Sequence, residues 1–253
     1  MKPSVKADGI WMMFNLSRER EERFKEYMIN MARGKLRFDK FWALKDVSFE
    51  VEKGASLGIV GLNGAGKTTL LRLISGIMKP TIGTVETRGV IAPLISLGGG
   101  FDSNLSAKEN IFFAGAMHGY TRKYLSERYR DILDFAELGD FEDVPISKFS
   151  SGMNARLGFA VATHINPDIL ILDEVLAVGD YTFRDKAMNR TLEIIRSGAA
   201  VLFVSHSMEQ VKKLCAKAIW LDRGYMRMYG PSAQVCDAYA ECYSKNKNRG
   251  GTS

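Results

Sequence analysis

Cysteine is scarce in this chain of 253 residues: Cys215, Cys236 and Cys242 are all there are, and none forms a C-x-x-C pair. An odd, scattered set fits reduced thiols better than a disulfide framework. It also argues against a zinc site, since only three histidines are present and none stands near these cysteines. Long apolar runs are missing as well. The most hydrophobic window, residues 169–178, is broken by Asp173 and Glu174, well short of the ~18 residues a spanning helix needs. The start, MKPSVKADGI, has neither an apolar h-region nor a small-residue cleavage site, so the expectation is a cytosolic chain. Neither charge sign dominates, with 35 Lys+Arg against 29 Asp+Glu, and 46% of residues are hydrophobic. Those proportions exclude disorder as the main state, and the surplus of basic charge is too small to imply a nucleic-acid or membrane partner.

What is present is an alternation of short apolar runs and helical periodicities. Residues 4–14 read as an edge strand or hairpin arm. Residues 17–35 carry early acids, late bases and apolar Phe24, Met28 and Met31 at i, i+4, i+7, which describes a charged amphipathic helix ended near Gly34. Strands are expected at 41–51 and 56–60, then a helix to about residue 78. Ser106-x-x-Glu109 is a capping box opening a helix to about residue 118, and 124–135 is a second helical pattern. A helix from 151 to about 163, a strand at 169–173, a helix near 184–196, a strand at 201–205 and a helix at 208–217 follow. A hairpin around Gly224 closes the pattern, and the Gly-, Ser-, Asn- and Lys-rich tail from 244 is expected to be disordered. Buried strands alternating with helices give an α/β core with a largely parallel sheet.

Gly61-Leu62-Asn63-Gly64-Ala65-Gly66-Lys67-Thr68 matches G-x-x-x-x-G-K-[ST] between an apolar strand and a helix. Glycines let backbone N–H groups converge on phosphate oxygens, and the helix start adds partial positive charge. Lys67 then neutralises the terminal phosphates and the Thr68 hydroxyl ligates Mg²⁺. The strand ILILD ends in Asp173, placed to hold Mg²⁺ through water, and Glu174 beside it reads as the general base. His206 follows a third apolar strand at its carboxyl end, where ligands of parallel sheets collect, and reads as a contact to the γ-phosphate. Ser150-Ser151-Gly152 before a helix is either a second anion cradle or a plain N-cap. His118 and His164 sit within helical patterns and receive no role.

Taken in order, the P-loop, the Ser-x-Gly helix start, the strand ending Asp-Glu, Asp180 in AVGD, and His206 resemble the ATP-binding subunit of ABC transporters, over about residues 4–243. The runs FWALKDVSFEV, LISLGGGF, FSSGM and DEVLAVGD look like the branch that exports O-antigen, teichoic acid and capsule. The resemblance implies a P-loop NTPase core, an N-terminal antiparallel β subdomain, a helical subdomain at about 101–155 and a charged insert at about 15–40. It implies that the run from Gly61 to Thr69 wraps the phosphates of ATP, that Thr68 and Asp173 serve Mg²⁺, that Glu174 is the base, and that Asp180 belongs to the nucleotide site. It further implies that Ser150 and Gly152 bind the γ-phosphate of ATP held by a second copy. An aromatic near the end of the first strand would stack on adenine: Phe14, with Phe41 or Trp42 as alternatives. Two departures stand out. Ser151 and Met153 replace the Gly and Gln of the usual LSGGQ. No glutamine precedes Gln210, so LISLGGGF takes the place of the glutamine loop, with Ser96 or backbone as the substitute and the role of residues 98–100 open.

The resemblance therefore implies a homodimer that works with a membrane-spanning permease at the cytoplasmic face and moves a lipid-linked polysaccharide outward. Other readings are an ATPase of another transporter class, a soluble relative acting on nucleic acid, or a regulator without catalysis. One P-loop and no sustained heptad run speak against the second of these, and Lys67, Asp173, Glu174 and His206 together speak against the third.

Overall fold

The computed structural model describes residues 2–17, 38–94, 100–117, 119–173 and 181–249. Its strands form one nine-stranded sheet in the order β4-β1-β2-β9-β8-β3-β7-β6-β5. Here β1 is Val5–Ser17, β2 Phe38–Val51, β3 Ser56–Val60, β4 Ile82–Thr87, β5 Ile91–Leu94, β6 Ile169–Asp173, β7 Ala200–Val204, β8 Lys217–Asp222 and β9 Tyr225–Pro231. Strands β8, β3, β7, β6 and β5 run parallel. β1 pairs antiparallel with both β2 and β4, which makes the N-terminal antiparallel part. β8 and β9 are the hairpin expected around Gly224.

The central strands are apolar throughout because both faces are covered. On β6, Leu170 and Leu172 join one layer with Phe159, Phe183 and Phe203. Ile169 and Ile171 join the opposite layer with Leu70, Leu71 and the N-terminal residues Ile10 and Leu44. That two-residue alternation is the pleat itself. A third cluster, Ala107, Ile111, Ile132, Leu133, Leu157 and Val161, is the core of the helical subdomain.

Among the described residues the α-helices are α1 Lys67–Ile74, α2 Ala107–Met117, α3 Arg122–Ser126, α4 Tyr129–Ala136, α5 Ser151–His164, α6 Tyr181–Arg196, α7 Met208–Leu214 and α8 Ser232–Arg249. The capping box before α2 forms in both directions: Ser106 N–H donates to Glu109 Oε2 at 2.8 Å, and Glu109 N–H to Ser106 Oγ at 3.2 Å. Three expectations are corrected. α1 stops at Ile74 rather than near 78, because Gly76 turns left-handed (φ 75°) and its N–H bonds back to Leu73 O at 3.1 Å. The single helix expected at 124–135 is two, broken where Arg128 leaves helical geometry (φ −122°, ψ −15°). The tail expected to be disordered from 244 continues α8 as far as Arg249. α8 is anchored by fully buried Val235 and Cys236 and by the Lys212–Asp237 ion pair to α7. The insert expected at 17–35 lies outside the described residues apart from Ser17 in β1. Among the described residues no helix is long and apolar enough to cross a membrane.

Candidate functional site

Sheet register brings the candidate residues to one edge. Ile59 pairs with Val204, and Val204 pairs with Asp173, so β3, β7 and β6 end side by side. The P-loop leaves β3 there, Asp173 closes β6, and His206 comes two residues after β7.

The loop folds as it does because two glycines have no alternative. At Gly66 the backbone is left-handed (φ 106°), and a Cβ there would meet Ala43 O at 2.6 Å. A Cβ at Gly61 would meet Leu221 O at 2.3 Å, so β8 can run this close only to glycine. The β8–β9 turn braces the loop from outside: Gly224 N–H donates to Ala65 O at 3.1 Å, and Lys45 N–H to Gly224 O at 2.8 Å. Gly66 then starts α1 with no side-chain cap and no acid in its first turn. A helix start without a side-chain cap or a first-turn acid is a place where an oxyanion fits.

Lys67 is 7% exposed, and its ammonium donates to Gly61 O at 2.7 Å and Leu62 O at 3.1 Å, which holds it inside the loop. The Thr68 hydroxyl donates to Asp173 Oδ2 at 3.2 Å. A hydroxyl and a carboxylate side by side are the hard oxygen donors Mg²⁺ takes when nucleotide phosphates and water supply the remaining ligands. A cleft of about 390 Å³ opens over Asn63, Gly64 and Gly66 to Thr69, walled by Phe14 and Phe41. Those two rings come from residues directly opposed across β1 and β2. Trp42 stands elsewhere, edge-on to Trp11 at 5.5 Å and 81°.

His206 is exposed in a turn that is pinned on both sides. Buried Ser205 donates through Oγ to Gln210 Oε1 at 3.0 Å and accepts from Ser207 N–H at 3.0 Å, while Ser207 caps α7 by accepting from Gln210 N–H at 3.4 Å. Sequence reasoning missed this brace, although Ser207-x-x-Gln210 before a helix is its signal. Ser150 is the N-cap of α5 and accepts from Met153 N–H at 3.2 Å. Neither Ser150 nor Gly152 lines the cleft of its own chain. Glu174, Asp180, His118, Ser96 and the stretch 95–99 lie outside the described residues.

Other candidates separate cleanly from this edge. Burial pushes the Cys215 thiol up, and Cys236 beside it adds to the shift. Burial also raises Cys236. Both are packing residues in the core layer with Phe203.

Comparison with known proteins agrees with this geometry. The ABC transporter family model matches residues 44–177. The chain is 44% identical over 202 residues to the O-antigen export system ATP-binding protein RfbB of Klebsiella pneumoniae, covering 80% of this chain and 82% of that protein. It is 40% identical to the teichoic acids export ATP-binding protein TagH of Bacillus anthracis, covering 97% of this chain but only 44% of that longer protein. In fold it is similar to the dimeric post-hydrolysis structure of the ATP-binding cassette MJ0796 bound to ADP and Pi, with a TM-score of 0.74 at 21% identity over 90% of this chain and 98% of that one. With a family model spanning more than half of its length, this chain belongs to the ABC transporter family as an ATP-hydrolysing cassette.

Proposed function

We propose that the chain energises export of a lipid-linked polysaccharide, of O-antigen, teichoic acid or capsule type, through a separate membrane-spanning permease at the cytoplasmic face of the membrane. The observation that carries this reading is similarity at 40–44% identity to O-antigen and teichoic acid export proteins across 80–97% of the chain.

In this reading two copies close on two ATP molecules. The uncapped start of α1 and the loop N–H groups hold the phosphates, and Lys67 balances their charge at the reacting end. Phe14 stacks on adenine from the cleft wall. Thr68 and Asp173 would hold Mg²⁺, which when bound would neutralise phosphate charge. Glu174 takes the proton of the attacking water, and the braced His206 contacts the γ-phosphate. Ser150 and Gly152 complete the site of the other copy, and Asp180 belongs to the same closed site. Closure with ATP and reopening after hydrolysis do the mechanical work. The surface offered to the permease is the insert at 17–35 and the helical subdomain, where a cleft of about 690 Å³ is walled by Leu105, Phe112, Tyr120 and Tyr129. Exposed Phe113 and Met117 also belong to this subdomain.

Co-expression with a candidate permease tests the proposal. The chain is expected to copurify with membranes only when the permease is present, and Glu174→Gln is expected to keep ATP binding and the dimer while stopping export and most turnover. Failure to associate, together with salt-sensitive nucleic-acid binding, would move the chain to the soluble branch.

A further inference from the structure

Glu137 holds a backbone conformation that side chains with a Cβ avoid, φ 60° and ψ 44°, at the end of α4. Glycine or asparagine is the usual residue at such a position. The glutamate brings a carboxylate that joins three helices. Its Oε2 accepts from Arg156 of α5 at 3.0 Å, and its Oε1 from the Lys186 ammonium of α6 at 3.4 Å. Lys186 also donates to Phe135 O in the last turn of α4 at 2.9 Å. Beneath these charges the Phe135 ring packs against Phe159 of α5 at 6.0 Å and Phe183 of α6 at 5.9 Å. The joint is thus apolar below and ionic above.

Its value is not stability. The Glu137 side chain is 46% exposed, and ion pairs at that exposure contribute little to folding. Its value is location. α5 begins at the Ser150 cap, and α6 begins directly after residues 174–180, which contain Glu174 and Asp180.

We infer that Glu137 is a positioning residue that couples the two ATP sites of the dimer, tying the helix that serves the other copy's nucleotide to the helix that follows this copy's own base. The inference rests on the two-copy reading above. A movement of Ser150 on a neighbour's γ-phosphate is passed through Arg156, Glu137 and Lys186 to α6, so each site registers the state of the other.

The test compares ATP hydrolysis curves of the full chain with those of Glu137→Gln, which keeps shape without charge, and Glu137→Gly, which suits the left-handed backbone. In a two-site assembly the Hill coefficient is capped at 2, and it is expected to fall from above about 1.5 in the wild type to about 1 in both variants. ATP affinity of the separated chain and the melting temperature are expected to hold, and Arg156→Gln and Lys186→Gln, each removing one end of the path, are expected to lower the Hill coefficient in the same way. Equal cooperativity in wild type and both variants would overturn the linkage alone. A wild type that forms no ATP-dependent dimer would overturn the two-copy reading and the linkage with it.

Discussion

Thr68 and Asp173 stand 105 positions apart and meet at 3.2 Å, hydroxyl to carboxylate, across the end of the sheet. The register of β6 with β7 and of β7 with β3 brings the two residues to the same end of the sheet. Asp173→Asn keeps an acceptor for Thr68 but removes the charge. The Mg²⁺ concentration needed for half-maximal phosphate release is expected to rise about 10- to 100-fold, the size found when groups supporting a metal site are changed. Thr68→Ser is expected to behave like the wild type, and an unshifted Mg²⁺ titration in Asp173→Asn would remove Asp173 from the metal site.

The aromatic wall gives a three-way comparison. Phe14 and Phe41 are opposite one another on β1 and β2 and both face the P-loop cleft, whereas Trp42 packs against Trp11. Aromatic pairs contribute about 0.5–1.5 kcal/mol beyond area burial, so Phe14→Ala is expected to weaken nucleotide binding roughly 2- to 10-fold in a fluorescent-nucleotide titration. Trp42→Ala is expected to lower the melting temperature with little change in affinity. If Phe41→Ala weakens binding and Phe14→Ala does not, the stacking role passes to Phe41.

How far the sequence could be read follows from how local each signal is. The P-loop, the Ser106-x-x-Glu109 box and the strand ILILD are each fixed by residues within a few positions, and each appears in the structure where the sequence puts it. α8 was hidden because its packed face is only Val235, Cys236, Tyr239 and Tyr243, and its second half is the polar stretch from 244 that reads as a tail. The Gly66 approach to Ala43 and the Gly224 brace on Ala65 join segments that only the sheet order brings together. The Glu137 joint has the same character: nothing near Glu137 in sequence names Lys186 as its partner, since the packing of α4 on α6 decides it. Roles that depend on a second copy, such as those of Ser150 and Gly152, were readable only through resemblance.

His164 carries a pH dependence whose sign is fixed by its surroundings. Its Nδ1 lies 2.8 Å from Ala160 O, and its ring packs edge-on to Phe135 at 5.0 Å. Burial lowers its pKa; Arg190 acts in the same direction, while the Ala160 carbonyl, Asp131 and Glu193 oppose it. The folded chain therefore binds this proton less tightly than the unfolded chain, whose histidines titrate near about 6.5. As pH falls through that value the unfolded state is protonated first and stability is lost; above it both states are neutral and the dependence vanishes. Denaturant unfolding at a series of pH values is expected to show the wild type losing stability more steeply below about 6.5 than His164→Gln, with the two curves parallel above it. A wild type and variant that run parallel throughout would mean that the His164 ring accepts its proton in place, with α5 and Phe135 yielding to admit it.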